Sequence, residues 1–145
     1  MTATFNERVR KVLDAPNLAL VATVDSSGAP CVQPTWFDTD GDTLRINTQE
    51  GRAWPERVRR DARVSICVVN ATETTEYVEV RGRVIEETRE GGLEHIDTLS
   101  RKYLGIDYPH HYEGEERTVF RIKPDKVIYV NLLEAIPGVP PVSER

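Results

Sequence analysis

The stretch from Ile46 to Ile66 (INTQEGRAWPERVRRDARVSI) joins a polar turn to a run of arginines. It predicts the end of one strand, a turn over Thr48–Gly51, a basic helix and the start of the next strand. The first turn of a helix carries backbone N–H groups without partners and a partial positive charge, so it can hold an anion such as a phosphate. Arg52 and Arg57 lie beside this turn. The stretch is therefore a candidate phosphate site.

Composition limits the classes of protein to which the chain can belong. Its 145 residues suit one domain, which we place at residues 1–136, followed by a Pro-rich tail at 137–145. The net charge of −5 argues against nucleic acid or an anionic membrane as the main partner. No apolar run reaches the length of a membrane span, and the N-terminus lacks a signal-peptide core. We expect a cytoplasmic protein.

Six segments have strand character, and turn residues separate several of them. The strands are predicted at Leu18–Val24, Pro30–Asp38, Thr43–Thr48, Arg63–Val69, Tyr77–Glu87 and Arg117–Val130. Short helices are predicted at Thr4–Leu13, Trp54–Arg60 and Leu93–Leu104. The fold class is therefore mainly β (α+β), a six-stranded antiparallel barrel, closed or partly open, with short peripheral helices. Consecutive βαβ units with a glycine-rich fingerprint are absent, which excludes a dinucleotide-binding fold of that type.

No residue set suggests catalysis by side chains or a bound metal. His95 is far in sequence from the pair His110 and His111, and no metal-ligand spacing links them. We interpret the pairs Glu86-Glu87 and Glu115-Glu116 as solvated charge. We therefore predict no catalytic residue and no metal site. The histidine pair leaves a haem-binding relative open as a weaker alternative.

Three segments together resemble a known family: NLALVATVDSSGAPCVQPTWFDTDGDTLRINT, GRAWPERVRRDARVSI and YVEVRGRV. They resemble the pyridoxamine 5′-phosphate oxidase-like split β-barrel family, and within it the flavin/deazaflavin oxidoreductases that use coenzyme F-420. The resemblance implies a homodimer with two cofactor sites at the subunit interface. It implies hydride transfer between F-420 and an unsaturated or conjugated small molecule. FMN is the competing cofactor, and a non-catalytic binding protein of the same fold is a second hypothesis.

The resemblance also implies which residues contact the cofactor. The ring would lie against four residues of the second strand, namely Gln33, Pro34, Thr35 and Trp36. The ribityl chain and phosphate would lie near the end of the third strand and the turn after it, at Asn47, Thr48, Gly51 and Arg52. Tyr77 would reach the same site from the second subunit. Trp36 has two interpretations, a wall for the ring or a core aromatic.

One position departs from the family pattern. The family usually has a lysine where this chain has Trp54, and the lysine ammonium meets the cofactor phosphate. A charge-assisted hydrogen bond of this kind contributes about 1.5–3 kcal/mol. Arg52 or Arg57 could replace it, because arginine binds phosphate bidentately. Trp54 itself would either stack on a ligand ring or anchor the dimer interface.

Overall fold

An antiparallel sheet of seven strands forms the body of the protein in a computed structural model that describes residues 3–138. The strands are β1 (Ala19–Val24), β2 (Pro30–Thr35), β3 (Asp38–Asp40), β4 (Thr43–Gln49), β5 (Arg63–Val69), β6 (Glu76–Thr88) and β7 (Arg117–Asn131). The helices are α1 (Glu7–Asp14), α2 (Ala53–Arg60) and α3 (Gly92–Leu104), followed by a short 3-10 helix, Leu132–Ala135. The order across the sheet is β2-β1-β5-β6-β7-β4-β3.

The predicted count of six strands was wrong, because the predicted strand Pro30–Asp38 is two strands. β2 ends at Thr35 and β3 begins at Asp38, so Trp36 and Phe37 form a corner. Phe37 turns into the core with no exposed surface, while Trp36 is only partly buried. Periodicity could not locate this corner, because both its residues are aromatic and aromatic residues are common in strands. The prediction of a mainly β fold with antiparallel strands was confirmed.

The sheet curls but does not close into a barrel. Its two edge strands, β2 and β3, are joined by only two residues, so the edges approach each other without pairing. The prediction left the barrel closed or partly open, and the structure has the open form. As an edge strand, β2 presents a row of backbone groups that pair with no other strand of residues 3–138.

Local chemistry explains several of these elements. The carboxylate of Asp25 accepts hydrogen bonds from the backbone N–H groups of Ser27 (2.8 Å) and Ala29 (3.0 Å), which closes the β1–β2 hairpin. Side chains alternate between the two faces of strand β6, with Val78 and Val80 buried and Arg81 exposed. A Cβ atom at Gly82 would lie 2.2 Å from the carbonyl oxygen of Lys123, so glycine allows the two strands to approach closely here.

Helix α3 is fastened to the rest of the molecule by its last turn. The ammonium of Lys102 donates to the carbonyl oxygens of Leu13 (2.8 Å) and Phe37 (2.9 Å). Burial lowers the pKa of Lys102 to about 8, although Asp38 and Asp14 act in the opposite direction. The hydroxyl of Tyr103 donates to the carbonyl oxygen of Asn17 at 2.7 Å. These contacts hold α3 beside the corner between β2 and β3.

Two sequence predictions concern parts outside the sheet. None of the helices in residues 3–138 is long and apolar enough to span a bilayer. Most of the predicted Pro-rich tail, from residue 139 onward, lies outside the described residues.

Candidate functional site

A cavity of about 330 Å³ lies where β2, β4, α2, α3 and the start of β7 meet. Its volume is at the lower end of the range for small-molecule sites. The residues that line it are Leu18, Gln33, Pro34, Thr35, Trp36, Asn47, Thr48, Gln49, Arg52, Trp54, Ile96, Leu99, Tyr108 and Arg117. None of them is acidic, and two are arginines.

The structure brings together most of the residues that the sequence singled out. Eight of them line the cavity: Gln33, Pro34, Thr35, Trp36, Asn47, Thr48, Arg52 and Trp54. Gly51, Arg57 and Tyr77 do not line it. Gly51 forms the turn before α2 with a φ of 95°, which suits glycine. Tyr77 lies on β6 opposite Val69, away from the cavity of its own chain.

Arg57 acts on the cavity indirectly. Its Nε donates to the hydroxyl of Thr23 at 2.8 Å, and its Nη2 donates to Oε1 of Gln33 at 3.2 Å. Arg57 therefore holds the side chain of a lining residue instead of facing the cavity. Arg52, by contrast, is exposed, and its side chain makes no hydrogen bond or ion pair with any of residues 3–138.

The turn before α2 has the features of an anion site that the sequence predicted. Arg52 is the N-cap residue, and no side chain caps the helix. The backbone N–H groups of Ala53 and Trp54 therefore have no capping partner, and Pro55 has no N–H group at all. The guanidinium of Arg52 lies at the same helix end. Both features favour a negatively charged ligand group.

Trp36 is half-buried at the cavity, and its role as a wall for a ligand ring stays a prediction. It lines the cavity, and its ring stacks on Tyr103 with centroids 5.2 Å apart and planes at 7°. Tyr103 is held by its bond to Asn17 and by burial, which raises its pKa above the ordinary value. Trp36 therefore stacks on a tyrosine that is itself fixed in place.

Trp54 is a core residue, which neither sequence interpretation anticipated. It is only 8% exposed and packs on Phe120, with ring centroids 5.0 Å apart. Too little of the Trp54 side chain is exposed for it to anchor a dimer interface, so the interface interpretation was wrong. The small exposed part lines the cavity. At the position where the family resemblance implies a lysine, this chain therefore has a buried aromatic ring.

Asn47 is oriented by a buried histidine. Its Nδ2 donates to the carbonyl oxygen of Gly92 at 2.8 Å and lies 3.3 Å from Nδ1 of His95. Nε2 of His95 lies 3.0 Å from Oδ1 of Asp38. These partners fit a neutral imidazole that accepts at Nδ1 and donates at Nε2. Oδ1 of Asn47 is left to face Arg117, whose Nη1 lies 3.5 Å away.

Arg117 is the main site residue that the sequence analysis missed. Its side chain is 8% exposed and lines the cavity, and Nε donates to Oε2 of Glu115 at 2.7 Å. The interpretation of Glu115 as solvated charge was wrong, because its side chain is only 2% exposed. The available signal was an arginine at the first position of the predicted strand, directly before Thr118, Val119 and Phe120. Its partner Glu115 gave no separate signal, because the sequence shows it only as one member of the pair Glu115-Glu116.

A second cavity, of about 430 Å³, lies between β1, β2, β5 and β6. It also contains arginines, but each of them has an acidic partner within residues 3–138. The pairs are Arg63 with Asp61, Arg81 with Glu79, and Arg83 with Asp125. This cavity therefore lacks the uncompensated positive charge of the first one, where Arg52 has no partner.

Several solved structures share this fold. One of them, an F420 reductase, superposes with a TM-score of 0.75 at 24% identity, covering 82% of this chain and 94% of that one. The conserved hypothetical protein Rv2991 from Mycobacterium tuberculosis has a TM-score of 0.73 at 16% identity, with 97% and 93% covered. General Stress Protein 26 from Bacillus anthracis has a TM-score of 0.65 at 16% identity, with 86% and 92% covered. No curated protein is a significant match.

The sequence itself carries the family signature over most of its length. The pattern that defines pyridoxamine 5′-phosphate oxidase matches residues 5–131, which spans every strand of the sheet. The similar structures agree with that match in fold, and the resemblance found in the sequence is confirmed. The chain belongs to the pyridoxamine 5′-phosphate oxidase family.

Proposed function

We propose that this protein is an oxidoreductase that binds the deazaflavin coenzyme F-420 in the cavity described above. The reaction is hydride transfer between F-420 and an unsaturated or conjugated small molecule. One observation carries the proposal: the cavity holds two arginines and no acidic residue, in a chain whose net charge is −5. Such a cavity suits a ligand that is both aromatic and anionic. The family binds flavins, and one protein of similar structure is an F420 reductase.

The residues present fit such a cofactor at both ends. At the phosphate end, the uncapped start of α2 lies beside Arg52, and Thr48 lies at the end of β4. At the ring end, β2 offers unpaired backbone groups of an edge strand for hydrogen bonds to a heterocycle. Trp36, supported by Tyr103, gives the ring a flat surface.

The cofactor would supply the hydride chemistry, and the chain supplies position. The side chain of Gln33 is held by Arg57, and that of Asn47 by His95, so both are oriented before a ligand binds. Ile96 and Leu99 on α3 are buried apolar residues of the same cavity. Their apolar surface would limit the contact of the ring with water when the cofactor is bound.

Titration of the protein with F-420 and with FMN tests the proposal. Both tryptophans of the chain line the cavity, so binding should quench the protein fluorescence. We expect F-420 to bind more tightly than FMN, because its longer tail brings more negative charge to Arg52 and the uncapped start of α2. Arg52→Ala should weaken binding roughly tenfold at low salt, and the difference should shrink as salt is added.

Arg60→Ala is the matched control, since Arg60 is an exposed arginine of the same helix that does not line the cavity. Equal losses in both variants would contradict a specific role for Arg52. Binding of FMN alone would assign the protein to the flavin branch. Failure of both ligands would favour a non-catalytic binding protein.

We also propose a homodimer in which a second copy covers the outer face of β1 and β2. Leu18, Leu20 and Val32 are 46%, 39% and 67% exposed there, and Leu18 also lines the cavity. A partner on this face would complete the cavity wall. Tyr77 faces outward near the same surface, opposite Val69, from where it could reach the partner's cavity.

A Leu20→Glu substitution tests the dimer, because it introduces a charge into this apolar face. We expect the wild-type protein to sediment as a dimer and the variant as a monomer with weaker cofactor binding. Leu104→Glu is the control, since Leu104 is 53% exposed at the end of α3. A wild-type protein that is monomeric at micromolar concentration would disprove the proposed dimer.

A further inference from the structure

A chain of charged groups leads from the cavity to the loop between α3 and β7. Arg117 lines the cavity and donates through Nε to Oε2 of Glu115. The other carboxylate oxygen of Glu115 lies 2.6 Å from Nδ1 of His111. Nε2 of His111 lies 2.8 Å from Oδ1 of Asp97 on α3. Four groups of alternating charge are thus in direct contact, and only the first reaches the cavity.

The guanidinium of Arg117 has N–H groups that remain available to a ligand. Its Nη1 has one long contact, at 3.5 Å, to Asn47, and its Nη2 has no partner in residues 3–138. One face of the group lies over the ring of Tyr108, 4.9 Å from the centroid. A buried cation whose Nη groups are largely unpaired, in a cavity without acids, is suited to bind an oxyanion. In the sheet, Arg117 pairs with Gln49, next to the turn that precedes α2.

The contacts of His111 are those of a charged imidazolium. Both ring nitrogens face carboxylate oxygens, so both must carry hydrogens for both contacts to be hydrogen bonds. The hydrogen bonds to Glu115 and then Asp97 raise the pKa of His111 above its ordinary value. The ring of Tyr108 packs edge-on at 5.4 Å and is uncharged. The charge of Arg101 on α3 acts on Asp97, and Arg101 also pairs with Asp107.

Protonation of His111 therefore changes the charge beside Arg117. With His111 charged, the charges of Asp97, His111, Glu115 and Arg117 sum to zero. With His111 neutral, they sum to −1, and the full charge of Glu115 acts on Arg117. Burial would raise the pKa of Glu115, but its bonds to His111 and Arg117 together lower it by more. The bond from Arg117 to Glu115 does not depend on the protonation of His111. An incoming anion meets less repulsion when His111 is charged.

We propose that Arg117 binds the phosphate group of the ligand and that His111, acting through Glu115, makes this binding pH-dependent. The inference rests on the proposed function only in that the cavity takes an anionic ligand. Affinity is highest when His111 is protonated and falls as the pH rises through the pKa of His111. Arg117 is a binding residue, whereas Glu115 and His111 are positioning residues.

The test compares Arg117→Gln, Arg117→Lys and His111→Gln with wild-type protein in titrations of F-420 and FMN from pH 6 to pH 9. We expect Arg117→Gln to bind about ten- to a hundredfold more weakly and Arg117→Lys to recover part of the loss. Wild-type affinity should fall several-fold across this range relative to His111→Gln. Dividing the affinity of the wild-type protein by that of His111→Gln at each pH removes the effect of titration of the ligand's own phosphate. Unchanged affinity in Arg117→Gln, or parallel pH profiles, would overturn the proposal.

A second measurement separates this inference from the proposed function. If the wild-type protein binds neither F-420 nor FMN, the proposed function fails, and inorganic phosphate then serves as the probe. Phosphate at matched ionic strength should raise the thermal midpoint of the wild-type protein and leave that of Arg117→Gln unchanged. An equal rise in both would overturn the role of Arg117. Where Arg117→Gln does not fold, Arg117→Lys takes its place, and phosphate should then raise its midpoint by less than that of the wild-type protein. An equal rise would again overturn the role of Arg117.

Discussion

A Trp54→Lys substitution is expected to lower the free energy of unfolding by about 3 kcal/mol without restoring a family-like phosphate contact. Large-to-small changes at buried tryptophans cost about 3–5 kcal/mol, and the aliphatic stem of lysine recovers part of that. Trp54 is 8% exposed and packs on Phe120, so the new ammonium would begin among core side chains. Urea unfolding followed by circular dichroism measures the loss.

Trp54→Phe is the matched control, because it keeps an aromatic ring against Phe120 and should cost clearly less. The two variants together separate loss of the ring from introduction of a charge. Wild-type stability in Trp54→Lys, combined with tighter binding of FMN or F-420, would contradict this account. That result would show that the ammonium can reach the cavity and that the missing lysine limits affinity.

A Gly92→Ala substitution is expected to lower the free energy of unfolding by about 1–3 kcal/mol and to weaken ligand binding as well. A Cβ at this position would lie 2.4 Å from the carbonyl oxygen of Arg117 and 3.0 Å from its Cβ. The first turn of α3 must then move away from β7. Its carbonyl group would take Asn47 with it, because Asn47 donates to Gly92 at 2.8 Å.

The neighbouring glycine supplies the control. Gly91 has a φ of 74° and open space around it, so Gly91→Ala costs backbone strain of about 1–2 kcal/mol without pressing on the cavity. Thermal unfolding should show that both variants are destabilised, whereas only Gly92→Ala should bind F-420 or FMN more weakly. Equal binding by the two variants would show that the contact between α3 and Arg117 does not shape the site.

The sequence alone determined those features that depend on neighbouring residues. The hairpin at Asp25 was predictable because its carboxylate bonds to backbone groups two and four residues away. The alternation in β6 and the uncapped turn before α2 were also predictable, because each depends only on residues that are close together in the sequence. The cavity residues on β2 and β4 came from the family resemblance, which assigns roles position by position. The dimer and the identity of the cofactor stay predictions.

Only the tertiary structure decided which charges and rings meet. Arg117 lies 70 residues from Asn47 in the chain, and the pairing of β4 with β7 brings the two together at the cavity. The same fold buries Glu115 beside Arg117 and encloses Trp54 against Phe120. Sequence spacing records the direction of a side chain along its own strand or helix, but not the group opposite it. The burial that turns an acidic residue into a partner for arginine, or a tryptophan into a core residue, arises from packing between distant elements.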